Sequence, residues 1–304
     1  MADRRLQVFF AVAKHGSFTR AADSLFMTQP AVTFQIKQLE EHFNCRLFER
    51  QHQKISLTAA GQLVFEFAEK ILALSDEMEG RVAELTGQMG GTLDIGASTT
   101  LGEFILPGIL SQFNELYPQV HLRMVVGNSE QIQTSVIEGS LDLGLIDGVA
   151  QHKSVLADVV GSETMAVVCA KAYPMADMAA VKAAELPEYE YVSREPGSGT
   201  RESVENYLKA NGVSPEQLKT VMELGSPEAL KNVVQTGLGF ALMSPSVVRK
   251  EVERGDLIAL ALDPPLQRTF SLIMPRERFR SRTISAFADY VKRGLQKHGT
   301  AVAS

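Results

Sequence analysis

Residues 18–43 contain two short amphipathic segments separated by a tight turn, and this spacing constrains the fold more than any other feature of the chain. Ser17 and Thr28 stand where helix N-cap residues stand. Pro30 falls in the first turn of the second segment, where its missing N–H costs no hydrogen bond. The second segment therefore predicts a helix with two faces. Its apolar positions are Val32, Ile36 and Leu39, and its outward polar positions are Gln29, Thr33 and Lys37.

The outward face of the second segment carries side chains that can recognise DNA bases. Glutamine can pair with the adenine edge, and Thr33 offers both a hydroxyl and a methyl group. A plain solvated helix shows the same polar face, because the helix-turn-helix pattern is short and degenerate. Two extended pieces around a polar tip then predict a β-wing near phosphates or the minor groove, with a solvated turn as the alternative. The candidate DNA-binding residues are Thr28, Gln29, Pro30, Thr33, Phe34, Gln35, Lys37, Arg50, His52 and Lys54.

A wider run of residues decides between these alternatives. It comprises Gly16-Ser17-Phe18-Thr19, Ala21-Ala22, Thr28-Gln29-Pro30-Ala31-Val32, Ile36-Lys37-Gln38-Leu39-Glu40, Leu47-Phe48-Glu49-Arg50 and Leu57-Thr58-Ala59-Ala60-Gly61. This run closely resembles the N-terminal winged helix-turn-helix of the LysR-type transcriptional regulators. The chain departs from the family pattern where Thr33 and Phe34 replace a serine and an arginine. The contact made by that arginine elsewhere is therefore not carried over, and Phe34 could instead touch a thymine methyl.

Charge divides unevenly along the chain, whose net charge is −6. Residues 1–60 hold eight Lys and Arg against five Asp and Glu, a balance of +3, which leaves −9 for the remainder. A balance of +3 is modest, so dimerisation is needed to neutralise enough phosphates. Residues 58–85 show a heptad-like apolar seam, which predicts a long helix pairing with its twin and a homodimer through residues 59–88. The seam consists of Val64, Phe67, Ile71, Leu74, Met78, Val82 and Leu85.

After Met89-Gly90-Gly91 the pattern changes from helical to alternating strand and helix. This alternation predicts a parallel sheet with right-handed crossovers. Two such lobes linked by two crossings resemble a type II periplasmic binding protein, the effector domain that LysR-type regulators also carry. The expected fold class is α/β, with an α-rich winged helix-turn-helix, a long dimerisation helix and a two-lobed effector domain. The expected boundaries are 1–58 for the DNA-binding domain, 59–88 for the dimerisation helix, 89–92 for a hinge, 93–163 with 267–304 for subdomain I, and 164–266 for subdomain II.

Polar loops follow the predicted strands of both lobes, where ligands of open α/β sheets bind. The most informative loop is 193–201, in which Gly197 and Gly199 allow close approach and a helix start favours an anion. Arg194 or Arg201 could neutralise that anion. The alternative is a capped turn with Arg201 bound to an acid. The candidate effector-binding residues are Ser98, Thr99, Thr100, Asn128, Ser129, Arg194, Glu195, Ser198, Gly199, Thr200, Arg201 and Ser226.

Several classes of protein are disfavoured by the sequence. The six histidines are scattered, without the spacing of a metal site or a catalytic triad, so no metal, no cofactor and no enzyme activity are expected. No apolar run is long enough to span a membrane, and the N-terminus leads into an amphipathic helix rather than the apolar core of a signal peptide, which disfavours the alternative of a periplasmic solute-binding protein. Cys45 and Cys169 are expected to be buried thiols in a reducing, cytoplasmic setting.

The family resemblance implies several partners. They are double-stranded DNA with an interrupted inverted repeat, a small oxyanion or carboxylate effector, further copies of the chain in a homotetramer, and RNA polymerase. One loop suggests a likeness to regulators of sulfur assimilation within the family, although carboxylates and amino acids would suit the same polar groups.

Overall fold

A computed structural model describes residues 3–25, 27–51, 54–85, 89–150, 152–276 and 281–301. The chain divides into two compact units, Met1–Gln88 and Met89–Ser304. The first unit contains a helical head and a long helix. The second contains two sheets with helices packed on them.

The head of the first unit is a three-helix core followed by a hairpin. Its elements are α1 (Arg4–His15), α2 (Phe18–Ser24), α3 (Gln29–Phe43), β1 (Phe48–Gln51) and β2 (Lys54–Leu57). The predicted N-caps are confirmed, because the Ser17 hydroxyl accepts from the Arg20 amide and the Thr28 hydroxyl accepts from the Ala31 amide. The apolar face of α3 is buried as predicted: Val32, Ile36 and Leu39 pack with Val8, Phe9 and Val12 of α1.

The long helix α4 (Ala59–Leu85) begins against the head. Gly61 is required there, because a Cβ at this position would lie 2.0 Å from the Leu47 carbonyl oxygen. Val64 packs on the head core, whereas the next five seam residues face solvent in the single chain, and the side chain of Leu85 lies outside the described residues. The exposed seam, as this stripe is called below, consists of Phe67, Ile71, Leu74, Met78 and Val82, each about half exposed or more. At 1.5 Å per residue, the 27 residues of α4 span about 40 Å.

Lobe I of the second unit is built on a five-stranded sheet with the strand order β4-β3-β5-β13-β6. Its strands are β3 (Gly91–Ser98), β4 (Val120–Gly127), β5 (Leu143–Asp147), β6 (Val155–Thr164) and β13 (Gln267–Pro275). Helices α5 (Leu106–Leu116), α6 (Ser129–Ile137) and α10 (Arg282–Ala301) belong to the same lobe, and a π-helical turn (Leu101–Ile105) precedes α5.

The predicted parallel arrangement is confirmed for β4, β3 and β5, but the sheet as a whole is mixed. Strands β4, β3 and β5 run parallel, but β13 is antiparallel to both β5 and β6. The chain re-enters lobe I from lobe II through β13, so this strand arrives from the opposite end of the sheet. Strand β6 was not predicted, and its polar and glycine-containing second half explains why its pattern was missed.

Lobe II contains a four-stranded sheet of order β11-β7-β12-β8 and a parallel pair β9-β10. Its strands are β7 (Ala166–Ala170), β8 (Ala180–Lys182), β9 (Glu190–Arg194), β10 (Lys219–Leu224), β11 (Ala241–Met243) and β12 (Leu257–Asp263). Its helices are α7 (Gly199–Ala210), α8 (Pro227–Gln235) and α9 (Pro245–Arg254). Here too the sheet is mixed, because β7 is antiparallel to β11 and β12.

Two further observations concern the described part of the chain. Cys169 is buried as expected, but Cys45 is exposed, because it follows the left-handed residue Asn44 that ends α3 and leaves the head core. None of the described helices is both long and apolar enough to cross a lipid bilayer.

Candidate functional site

The solvent-facing side of α3 is polar and open. Gln29, Thr33 and Lys37 are all exposed, as the helical spacing predicted. The Thr33 hydroxyl donates its proton to the Gln29 backbone carbonyl at 3.0 Å. Its oxygen therefore remains available to accept a hydrogen bond from a partner. Phe34 is 56% exposed, an unusual position for a large apolar ring on an otherwise polar face. This face therefore offers an amide, a hydroxyl, an ammonium and an aromatic ring to a partner.

The remaining α3 candidates occupy the helix start and its flank. Thr28 and Pro30 are exposed in the first turn, and Gln35 is half-buried. Lys37 lies 3.7 Å from Glu41 across one helical turn, and both side chains are largely exposed. A surface pair of this kind is weak, so Lys37 can exchange Glu41 for a phosphate at little cost.

The wing is tied to α3 by a contact that sequence reasoning missed. The Glu40 carboxylate accepts from the Leu47 amide at 2.8 Å and from the Phe48 amide at 3.3 Å. β1 and β2 pair antiparallel as predicted, with Gln51 opposite Lys54 at the tip. The backbones of Arg50 and Lys54 lie in these strands, whereas their side chains and the whole of His52 are outside the described residues. No sequence pattern indicates that a carboxylate will accept from a backbone amide seven residues later.

In the second unit, the predicted effector residues of lobe I meet those of lobe II in a closed cleft. The Thr99 hydroxyl accepts from the Arg194 guanidinium at 3.1 Å, and the Asn128 amide donates to the Pro196 carbonyl at 3.4 Å. The Glu130 backbone amide donates to the Gly197 carbonyl at 3.2 Å. These three hydrogen bonds join loops about 70 to 100 residues apart, as the carboxyl-end rule predicts.

The two predicted arginines already have carboxylate partners. The Arg194 side chain is buried and makes a bidentate pair with Glu195 at 2.8 and 3.0 Å. Arg201 donates to Glu205 at 2.8 Å and to Glu223 at 2.6 Å. For Arg201, the structure thus shows the arrangement that the sequence left open, a capped turn with its arginine bound to acids.

The serines and threonines of the cleft are mostly buried and mostly have a local role. Ser198 and Ser226 cap helices, and Ser129 is the first residue of α6: the Ser198 hydroxyl accepts from the Arg201 amide, and the Ser226 hydroxyl accepts from the Ala229 amide. The Ser129 hydroxyl donates to the Asp147 carbonyl at 3.2 Å. Thr100 is buried before the π-helical turn and makes no capping bond.

A buried charge cluster at the centre of the cleft was not predicted. Arg268 of β13 is fully buried, and its guanidinium donates to Glu163 of β6 and, at 2.5 Å, to the Thr200 hydroxyl of α7. The same guanidinium lies 3.5 Å from the Asp147 carboxylate at the end of β5. The sequence gives no signal for this cluster, because its members are separated by up to 121 positions and each stands alone in a strand or loop.

Three atoms of the cleft centre have no hydrogen-bond partner among the described residues: Ser98 Oγ, Asp147 Oδ1 and Arg268 Nε. Buried polar atoms without partners are rare, and they are often satisfied by a ligand or water. Burial raises the pKa of the Asp147 carboxyl above its ordinary value, opposed mainly by the Arg268 charge. A cavity of about 480 Å³ adjoins this region, lined by Ser129, Ser198 and Arg201 together with the acids Glu130, Glu202 and Glu205.

The two units match two family profiles. Residues 4–62 match the bacterial regulatory helix-turn-helix protein of the lysR family. Residues 86–296 match the LysR substrate binding domain. A probable RuBisCO transcriptional regulator from Porphyra purpurea is 33% identical over 293 residues, covering 94% of this chain and 92% of the relative.

Two solved structures share the fold. The full-length regulator CbnR, solved with its target DNA, superposes with a TM-score of 0.64 at 22% identity, covering 97% of this chain and 100% of that chain. The regulatory domain of Synechocystis PCC6803 CcmR, solved with 2-PG, superposes with a TM-score of 0.61 at 25% identity, covering 67% of this chain and 96% of that domain. None of these three proteins is named for sulfur assimilation, so the suggested likeness to that group gains no support.

A described head with a polar recognition helix thus accompanies a two-lobed domain with a closed polar cleft. Both parts match the corresponding family profiles over nearly the whole chain. The chain belongs to the LysR family of DNA-binding transcriptional regulators and carries an effector-binding domain.

Proposed function

We propose that this regulator reads an inverted-repeat operator with α3 and the wing, and that a small anion in the interlobe cleft changes how it holds that DNA. The observation that carries the DNA part is the polar face of α3, where Gln29, Thr33 and Lys37 stay exposed while the opposite face is buried. Glutamine can bond the adenine edge bidentately, and Phe34 beside Thr33 can cover a thymine methyl. Arg50, His52 and Lys54 of the wing would contact the backbone or the minor groove.

Two copies are required for this reading. The exposed seam of α4 leaves five large apolar side chains in solvent at helical spacing, an arrangement that is stable when a twin helix covers it. Pairing through residues 59–88 doubles the small net positive charge that the head brings to the DNA, and it presents two recognition helices to two half-sites. A pair of such dimers in a tetramer, with RNA polymerase as a further partner, completes the proposed assembly.

The effector is a small anion, as 2-PG is for the CcmR domain. It would bind beside the interlobe hydrogen bonds that close the cleft, and the residues facing it would be those of the four loops named from the sequence, 98–100, 128–129, 193–201 and 226. Binding would shift the lobes, and the lobes would shift the spacing of the heads. The protein would act in the cytoplasm by binding alone, without catalysing a reaction.

The DNA part is tested by Gln29→Ala with Gln62→Ala as the matched control. Both glutamines are exposed at the start of a helix, but Gln62 lies on α4. Loss of a bidentate base contact costs about 1–3 kcal/mol of discrimination, so Gln29→Ala should lower the ratio of operator to unrelated DNA affinity about tenfold or more. The measurement is a fluorescence-anisotropy titration of both duplexes at one salt concentration. Equal ratios for the two variants would contradict base reading by α3.

The effector part is tested by footprinting the operator with and without 2-PG. A bound anion should change the length of the protected region or its hypersensitive positions, because lobe movement alters DNA bending. Inorganic phosphate and acetate serve as smaller anions in parallel reactions. Identical footprints under all four conditions would contradict an anionic effector.

A further inference from the structure

The centre of the interlobe cleft carries more negative than positive charge. Its guanidiniums are those of Arg194 and Arg268, and its carboxylates are those of Asp147, Glu163 and Glu195. Each guanidinium is paired: Arg194 with Glu195, and Arg268 with Glu163. The third carboxylate therefore leaves an excess of one negative charge when all three are ionised. Such a centre opposes an anion unless one carboxylate becomes neutral.

Asp147 is the carboxylate that loses least on accepting a proton, because its contact with Arg268 is an ion pair without a hydrogen bond. Both oxygens of Glu163 are occupied, one by Arg268 and the other by the Ser244 hydroxyl at 2.8 Å. Both oxygens of Glu195 are occupied by Arg194, and this side chain is partly exposed. Asp147, in contrast, lies 3.5 Å from Arg268 without a hydrogen bond, and its Oδ1 accepts no hydrogen bond of normal geometry from the described residues, although the Ser98 hydroxyl lies close enough to stabilise its charge.

The groups that face Asp147 from the surrounding elements fix the direction of its titration. Arg268 on β13 and Arg194 on β9 favour its ionised form, as does the Ser98 hydroxyl at the end of β3. Glu163 on β6 disfavours it, and burial disfavours it most, so the pKa of Asp147 is raised. From α6 and α7, Glu130, Glu202 and Glu205 line the adjoining cavity and add negative charge, Arg201 adds positive charge there, and Ser129 adds none.

We propose that Asp147 is a specificity-determining residue that is neutral when the effector is bound, so that each anion enters the cleft together with one proton. The proton comes from solvent and binds Asp147 Oδ1, and the resulting O–H donates to an anionic oxygen of the ligand. Arg268 Nε and the Ser98 hydroxyl, the two other atoms without partners, would donate to the same ligand. The inference rests on the proposed anionic effector and adds the condition under which the cleft accepts it.

The test is calorimetric titration of the full chain with 2-PG between pH 7.5 and 9, where the probe is fully ionised. The wild type is measured at each pH in two buffers of different ionisation enthalpy, which reports protons taken up per ligand. We expect uptake of one proton and an affinity that falls about tenfold per pH unit. Asp147→Asn, which is neutral at every pH, should remove both effects and bind more tightly than the wild type at pH 9. Asp158→Asn is the matched control, because Asp158 is exposed on β6 of the same lobe.

The possible results separate this inference from the proposed function. Tight binding of 2-PG by the wild type without proton uptake, at an affinity constant across this pH range, would overturn the inference and keep the anionic effector. Binding by Asp147→Asn alone would support it. No binding of 2-PG, phosphate or acetate by either protein would overturn both. The proton count is measured on the wild type, so it stands even if Asp147→Asn folds poorly.

Discussion

Gly199→Ala tests whether closure of the two lobes is required for function. Gly199 is the first residue of α7 in lobe II, and its backbone packs directly on Asp147 of lobe I. A Cβ at this position would lie 2.2 Å from the Asp147 carbonyl oxygen and 2.6 Å from the Ser129 hydroxyl. Normal contact distances are above 3 Å, so the lobes must separate by about 1 Å to accept one methyl group. Overpacking of this size costs about 1–3 kcal/mol.

Because α7 itself tolerates alanine, this cost falls on the closed arrangement and not on the helix. A penalty of about 1–3 kcal/mol lowers the ratio of closed to open molecules roughly 5- to 150-fold. The affinity for 2-PG, measured by calorimetry, should fall by up to the same factor if the ligand binds the closed form, because the apparent affinity scales with the fraction of closed molecules. The melting temperature without ligand should fall as well, because the interlobe hydrogen bonds are weakened.

Gly225→Ala is the matched control for this experiment. Gly225 also lies just before a helix of lobe II, but a Cβ there would meet no atom within 4 Å. This variant should keep the wild-type affinity and melting temperature. If Gly199→Ala behaves like Gly225→Ala in both measurements, the closed cleft described here is not the ligand-binding arrangement, and the reasoning is refuted.

Three further predictions follow from other parts of the molecule. Leu74→Glu combined with Met78→Glu places two charges in the exposed seam of α4 and should convert the dimer to a monomer in sedimentation velocity; an unchanged dimer would exclude the seam as its interface. Burial raises the pKa of the Cys169 thiol to about 11, whereas Cys45 is exposed. An aromatic disulfide reagent at pH 8 should therefore react with Cys45 in the folded protein and with Cys169 only after unfolding. Rapid reaction of both thiols in the folded protein would contradict this. Burial raises the pKa of Asp147, so its charge destabilises the fold increasingly as pH rises from the ordinary carboxyl range through the raised value. Asp147→Asn should therefore gain more stability over the wild type at pH 8 than at pH 5 in urea unfolding, and an equal gain at both pH values would count against it.

Features set by neighbouring residues were predictable from the sequence. The caps at Ser17 and Thr28 and the buried face of α3 depend on residues three or four positions apart, and the structure confirms them. The start of α4 at Ala59 agrees with the predicted long helix, whereas residues 86–88 of the predicted segment 59–88 lie outside the described residues. Periodicity reports local geometry, so it succeeds wherever a helix presents one face to one core.

Features set by distant residues were not predictable. The cluster of Arg268, Glu163 and Asp147 joins three strands. A single charged residue in an apolar strand predicts a buried ion pair at most, and its sequence context does not identify the partner residue. The direction of β13 was missed for the same reason, because strand pattern carries no information about which way the chain returns. The loops of the cleft were found, and the pairing of Arg201 with an acid was one of the two alternatives left open, but the pairing of Arg194 with Glu195 was not predicted.

The position of β13 between β5 and β6 has a consequence for biosynthesis. Strands β7 to β12 are contiguous in the chain, so lobe II can finish folding as soon as residue 263 has left the ribosome. Lobe I cannot, because β6 pairs only with β13 in the described sheet and waits more than a hundred residues for it. During that interval Glu163 and Asp147 lack their guanidinium. A nascent chain stalled before Gln267 should consequently carry a folded lobe II and an incomplete lobe I that is prone to misassembly.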